Sequence, residues 1–452
     1  MSLICSGNLI ALHNASARQV NELKDSASAR YRTGPVGPKN NIPTPELFNV
    51  LHNKASAHIN LPTISEVAIH LEMLEVFHKL RQDVIQSAEL DSAFGISAQQ
   101  RRGVTFEQKR KVKWEYFLSI AVVRFSQWIK VVEKKLQAGG VGMAHPIYML
   151  LPPLDVLLIW HAFLSGGDDF REYCKRHDLK QIQGIVFPWS DIHTSIDSST
   201  WTYTVSPDHK SWLSKTAGMD ANLLEALVEG SKPGGVTRDL LSELRKEVFS
   251  SRKDASLDPL TRAINIAGTE KQQNKPLVDQ ALRQGDFVDK MHAHCWIRSP
   301  AVEGTLRRAL SRYDKSLQLF QLYPEISLVS TMDVELVWRT HQCSADNYRK
   351  FATERVGRFI QEDDWTGRRM LNYDSMRAEG FYRLRYGEQY RVCLCWACEA
   401  ILSAVEEVDD GGDGLEPTVV NDLAKKVRQQ LDYYRELEIA RRMGRELPIQ
   451  DG

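Results

Sequence analysis

The most ligand-like cluster in the chain is Cys393-Leu-Cys395-Trp-Ala-Cys398. Cys395 and Cys398 keep the C-x-x-C spacing that lets two thiolates meet one zinc ion. Closing such a site takes two more ligands, for which Cys393, Cys343 and a distant histidine are the candidates. The flanks favour another reading: V-C-L-C-W-A-C-E-A-I-L reads as one continuous buried helix, in which cysteine behaves as a small hydrophobe. Redox use is disfavoured, because such a pair normally sits beside a βαβ pattern and none is present. A second run, Met291-His292-Ala-His294-Cys295-Trp296, sets two imidazoles beside a thiol. Extended, His292 and His294 would share a face suited to zinc or copper, although the preceding F-V-D-K-M run reads as helical.

Two further motifs carry acids and histidines. Asp155-Val-Leu-Leu-Ile-Trp160-His161 and Asp333-Val-Glu-Leu-Val-Trp338-Arg-Thr-His341 both read as short helices. Asp155 follows Pro152-Pro153 and Asp333 follows Ser330-Thr331, so each acid is expected to cap its helix, a role worth about 1 kcal/mol. A catalytic carboxylate is the alternative. Trp160 and Trp338 are expected core anchors, each burying on the order of 200 Å². Metal binding at these motifs would require His161 and His341 to converge; otherwise they are satisfied structural histidines. Lys109, Arg110, Lys111 and Lys113 beside Trp114, with Arg101-Arg102 ahead, could contact nucleic-acid phosphates. Glu107 and Glu115 flank this patch and no RNP-type aromatic strand is present, which favours a solvated helix face. Asp409, Asp410 and Asp413 lack the alternation of a calcium loop. Nucleophile-elbow, phosphate-loop, dinucleotide and H-E-x-x-H motifs are absent.

The elements that must position these residues repeat. Asp155, Val156, Trp160, Asp168 and Phe170 match Asp333, Val334, Trp338, Asp346 and Tyr348 at one offset of 178 positions. Upstream, Ala121-x-x-Arg124-Phe125 matches Ala309-x-x-Arg312-Tyr313, with a ten-residue insertion in the first copy, placed at the glycine-rich loop after Ala138. Internal repetition decides architecture before any local pattern does. Helical spacing recurs at Val67, Leu71, Leu74, Val76, Phe77 and Leu80; at Trp114, Phe117, Leu118, Ala121, Val122, Phe125, Trp128 and Ile129; and at Leu306, Ala309, Leu310, Tyr313, Leu317 and Phe320. Val420, Leu423, Val427, Leu431, Tyr434 and Leu437 form a stripe expected to dock on the chain's own domain. Thr202, Thr204 and Val205 suit a short strand.

Composition sets the bounds. In 452 residues Lys+Arg and Asp+Glu are both 58, which removes bulk attraction to nucleic acid or an anionic membrane as a default. Apolar residues are 42% and charged ones 26%, an ordinary globular mix. No uninterrupted apolar run suggests a membrane span, and the first residues lack the basic lead of a signal peptide. Seven cysteines, an odd number, fit reduced thiols better than a disulfide framework, so the expected location is cytoplasmic.

The segments L-D-V-L-L-I-W-H-A-F, M-D-V-E-L-V-W-R-T-H-Q and Y-G-E-Q-Y-R-V-C-L-C-W-A-C-E-A resemble the glycine-rich domain-containing protein-like family of plants and fungi, formerly a domain of unknown function. Its pattern is Leu-Asp-(Val/Ile)-x-x-x-Trp-His-x-His, then a Tyr, with a late Cys-x-Cys-Trp-x-Cys-Glu. The resemblance covers residues 65–400. This chain departs from it by having Phe163 at the second histidine position of the first motif and Arg339 at the first position of the second. The family's glycine-rich tail is not expected, since 27 glycines in the chain is average usage. The resemblance implies no reaction, and RNA binding as one alternative.

The expected fold is mainly α: two related helical repeats packed together with C-terminal helices, and at most a small β element in the connector. The expected divisions are an extended lead over 1–60, repeat one over 61–182, a connector over 183–275, repeat two over 276–360 and a helical region over 361–452. The expected function is that of a noncatalytic intracellular interaction or scaffold protein with a protein partner. A metal-dependent enzyme or metal-binding protein using the Trp-His motifs, and an RNA-binding factor, are the alternatives. No cofactor is predicted, and zinc is the metal the thiols would suit.

Overall fold

Thr63 accepts the backbone N–H of Glu66 while the Glu66 carboxylate takes the Thr63 N–H, a capping box that starts helix α1, Ile64–Gln86. The apolar spacing above predicts one buried face. The computed structural model instead buries this helix nearly all round, including His70, Glu72 and Glu75. It describes residues 61–96, 105–138, 151–246, 249–252, 257–324, 326, 328–361, 364–365, 372–408 and 417–449. The lead over 1–60, Arg101-Arg102, the glycine-rich loop after Ala138, and Asp409, Asp410 and Asp413 lie outside those residues.

Helices α2 (Ala88–Ala93), α3 (Phe106–Ala138), α4 (Leu154–Leu164) and α5 (Asp169–Arg176) follow. The eight apolar positions read along α3 are all buried. The stretch expected as a connector folds into α6 (Trp189–Ser195), α7 (Pro207–Trp212), α8 (Leu223–Gly230), α9 (Val236–Glu243) and α10 (Pro259–Thr269). Between α6 and α7 lies the single sheet of the described residues. It is an antiparallel pair, β1 (Ile196–Asp197) and β2 (Thr202–Tyr203), with Ile196 opposite Tyr203. Helix α11 (Lys271–His294) ends on Cys295 in the left-handed conformation, at φ 48°. Then come α12 (Val302–Leu322), α13 (Met332–Gln342), α14 (Ala345–Val356), α15 (Asn372–Tyr386), α16 (Trp396–Val408) and α17 (Pro417–Arg442).

The fold is therefore mainly α, with one small β element. Helix α1 packs against α3, α6, α11, α12 and α13, so it touches elements spread from residue 106 to residue 342. Most buried apolar residues form one continuous core around it. Val420, Leu423, Val427 and Leu431 of α17 dock on Ala400, Ile401 and Val405 of α16 in a separate small cluster. At the crossing of α12 and α16, a Cβ on Gly304 would overlap the Ser403 hydroxyl, so any larger residue there would force Ser403 to turn away. Among the described residues no helix is long and apolar enough to cross a membrane.

Phe77, 1% exposed on α1, is predicted to cost about 3–5 kcal/mol of stability when cut to Ala. Leu384, 82% exposed, should change stability by less than about 0.5 kcal/mol on the same cut. Urea unfolding of the two variants checks the contrast.

Candidate functional site

Helices α4 and α13 are each eleven residues long and each bury their acid, Trp and His. The acids do not cap. Pro153 and Thr331 hold the cap positions without a side-chain bond. Asp155 lies within the first turn, where Arg124 of α3 meets it at 2.7 Å from Nε to Oδ2. Asp333 meets Arg312 of α12 at the same 2.7 Å between the same atoms. Burial of both partners drives this outcome, since a withdrawn carboxylate needs a charged donor more than a helix end needs a cap. Arg124 also donates to the Asp220 carbonyl at 2.6 Å. Arg312 donates to the Tyr390 carbonyl and to Thr331 Oγ1. The sequence holds the signal for both arginines, which occupy matching positions three residues after Ala121 and Ala309.

The aromatic surroundings match as well. Phe163 stands edge-on to Phe125, Phe170 and Tyr173, with centroids 6.0, 5.5 and 5.2 Å away. His341, at the position matching Phe163, contacts Tyr313, Tyr348 and Phe351 at 5.9, 5.1 and 5.1 Å. Its Nδ1 lies 3.1 Å from the Tyr313 hydroxyl. His341 therefore does the packing work of a phenyl ring and adds a hydrogen bond. Trp160 and Trp338 are 2% exposed. Trp160 lies against Trp128, and Trp338 donates to the Tyr348 hydroxyl at 2.8 Å.

His161 faces a different neighbour, His70 of α1, with ring centroids 4.7 Å apart. The Thr340 hydroxyl donates to the Leu336 carbonyl, so it accepts from His70 Nδ1 at 2.8 Å. Gln284 contacts His161 Nδ1. Burial, aided by the Arg339 guanidinium and partly offset by the Gln284 hydrogen bond, pushes the His161 pKa down to about 3. Burial, His161 and Arg339 hold His70 well below the usual imidazole range. His161 and His341 thus belong to separate surroundings, and they form no ligand group among the described residues.

The stretches that follow the two motifs meet. Leu164, Asp168, Phe170 and Arg171 line one side of a groove, and Gln342, Asp346, Tyr348 and Arg349 line the other, at matching positions. Asp168 pairs with Arg349. Its counterpart Asp346 sits within electrostatic reach of Arg171; burial raises that carboxyl and Arg171 draws it back. Arg349 also lies over the Phe359 ring at 4.2 Å.

The thiols come together in a way the helical reading does not anticipate. Helix α16 begins at Trp396, leaving Cys393 and Cys395 in the segment ahead of it and Cys398 in its first turn. The continuous helix fails because the Leu394 carbonyl is taken by the Trp296 indole at 2.9 Å. The Trp396 indole in turn donates to the His294 carbonyl at 2.7 Å. Two tryptophans thus clasp the 294–296 and 394–396 segments. One donor sulfur from each of Cys393, Cys395 and Cys398 lies within 4.8 Å of the others, and the Cys393 and Cys395 sulfurs are 3.4 Å apart. Burial alone would raise the Cys395 thiol, but the Cys398 backbone N–H, the neighbouring thiols and the Ala397 N–H bring it below its usual value. Glu399 is buried against Arg308, which fastens α16 to α12.

The other candidates separate. His292 and His294 lie in the last turn of α11 rather than in an extended segment, and His292 bonds Glu75 at 2.8 Å. Cys343 is buried and donates to the Arg339 carbonyl, away from the thiol cluster. The basic patch divides. The Lys113 side chain is enclosed and held by Asp91 at 2.6 Å, and Arg110 joins the same acid at 3.0 Å. Lys111 remains exposed and Lys109 is half-buried.

Residues 241–351 match the glycine-rich domain-containing protein-like family, a stretch that includes Asp333, Trp338 and His341. It is similar to glycine-rich domain-containing protein 1 of Arabidopsis thaliana, at 22% identity over 260 residues, which cover 56% of this chain and 26% of that protein. The matched stretch thus spans about a quarter of the relative's length. No solved structure matches the chain.

Removing one member of a buried pair strands the other, so Arg124→Met is predicted to cost about 3–5 kcal/mol. Arg124→Met with Asp155→Leu should recover much of that loss in a double-mutant cycle read by urea unfolding. Acid lowers stability through His70 and His161. Their folded pKa values lie below the unfolded 6.5, so the unfolded chain binds more protons. Their contribution is present above about pH 6.5 and is lost as pH falls toward 3, with a slope of up to about 1.4 kcal/mol per pH unit for each ring. His161→Gln should flatten that slope in unfolding curves between pH 4 and 7.

Proposed function

We propose that this chain is a noncatalytic interaction protein, built of two related helical units that present the groove between them to a protein partner. The observation that supports this reading is that Leu164, Asp168, Phe170 and Arg171 line the groove together with Gln342, Asp346, Tyr348 and Arg349, the residues 178 positions further on, with Asp168 paired to Arg349. A duplicated unit would account for it, since matching residues then line one groove. The Trp-His motifs are occupied by packing: Asp155 and Asp333 by arginines, His161 by His70 and Gln284, and His341 by Tyr313. Arginine and aromatic side chains line the groove, the residue types enriched where proteins meet. A cytoplasmic location belongs to this reading, because the six described cysteines are free thiols, as a reducing compartment favours.

A metal-binding role is the second reading, favoured by the three sulfurs gathered ahead of α16. RNA binding has less support, since Asp91 neutralises part of the basic patch.

The test uses the full chain and Arg171→Glu with Arg349→Glu. The Arg349–Asp168 pair is partly exposed and worth at most about 1 kcal/mol, so the fold should survive. Affinity capture followed by mass spectrometry should recover a protein partner with the unaltered chain and at least about tenfold less of it with the reversal. Equal recovery would overturn the groove reading. Recovery of RNA instead, steeply salt-dependent and lost with Lys109→Glu plus Lys111→Glu, would favour the nucleic-acid alternative.

A further inference from the structure

We propose that Cys393, Cys395 and Cys398 bind one zinc ion through three thiolates, leaving a fourth coordination position open toward solvent. This rests on the metal-binding reading above and specifies its ion, ligand count and access. The three sulfurs already lie within 4.8 Å of one another, close to the separation of about 3.8 Å that a tetrahedral ion with bonds of about 2.3 Å imposes on its thiolates. Among the described residues no fourth His, Cys, Asp or Glu joins the group. Cys398 is buried, Cys395 half-buried and Cys393 exposed, so the cluster opens on the Cys393 side.

The segment is built to hold this arrangement. Trp296 and Trp396 fasten it from two directions through the Leu394 and His294 carbonyls. Arg308 anchors the first turn of α16 through Glu399, at a crossing where Gly304 lets the two helices touch. Backbone N–H groups at the start of α16 point toward the sulfurs and favour negative charge. Every residue of C-x-C-W-x-C-E that is not a sulfur ligand thus positions one, apart from the two unspecified positions. Binding releases a proton from each thiol as its sulfur becomes a thiolate, giving a site of net charge −1 with zinc and three sulfurs. Soft thiolate donors suit zinc, and the order of divalent affinities places zinc above cobalt, which supplies a spectroscopic probe.

The experiment titrates the reduced full chain with cobalt under anaerobic conditions and then with zinc. One equivalent of cobalt should produce thiolate-to-cobalt charge-transfer absorption, and one equivalent of zinc should abolish it. Cys395→Ser and Cys398→Ser should each weaken cobalt binding by more than about 100-fold, while Cys343→Ser leaves it unchanged. Because Cys393 is exposed, Cys393→Ser supplies a variant expected to fold, checked by far-ultraviolet circular dichroism. Added imidazole should then shift the cobalt d–d bands by entering the open position. Bands unmoved by imidazole would mean a fourth protein ligand, overturning the open position and leaving metal binding intact. No charge-transfer absorption, or a disulfide between two of these cysteines in its place, would overturn both.

Discussion

Two carboxylate–guanidinium pairs, Arg124 with Asp155 and Arg312 with Asp333, are withdrawn from water, and the chain around them is arranged to make that tolerable. Removing an ion from water costs several kcal/mol, so each pair needs its partner and further hydrogen bonds. These come from distant segments: the Asp220 carbonyl for Arg124, and the Tyr390 carbonyl and Thr331 hydroxyl for Arg312, while Asp333 Oδ1 is left without a hydrogen bond. Each arginine therefore fixes more than one helix crossing. Arg124 draws the helices between the two motif copies onto the first of them. Arg312 draws in Tyr390, and with it the approach to the cysteine cluster.

Helix α1 touches both motif helices. Its His70 touches His161 of the first motif and Thr340 of the second, and its buried acids Glu72 and Glu75 take His193 and His292. A helix buried this far must find partners for its polar residues, and it finds them on helices from four different stretches of chain. This explains why His292 is a structural partner of α1 although its sequence neighbourhood looks like a metal ligand set.

The sequence held a good part of this in plain form. Apolar spacing located α1, α3, α12 and the docking stripe of α17, because burial at helical period is a local signal. The offset between Asp155 and Asp333 located matching helices of equal length. Other readings turned on contacts that sequence does not display. The acids of both motifs looked like caps because their local context suits capping; an arginine thirty-one residues upstream of Asp155 makes the ion pair instead. Lys113 looked like part of a solvated face, and Asp91 on the far side of a loop buries it. The run around Cys395 looked like one helix, and two indoles from separate segments stop it.

Residue types and their periods determined the class of fold, the long amphipathic helices and the matching of the two motifs, which follow from the chain's own local order, whereas helices α6 to α10 stand where a connector was expected. The tertiary structure decided the roles. Whether a carboxylate caps or pairs, whether a histidine packs or ligates and whether three cysteines meet depend on what distant segments bring within about 4 Å, the range over which hydrogen bonds, ion pairs and coordination act.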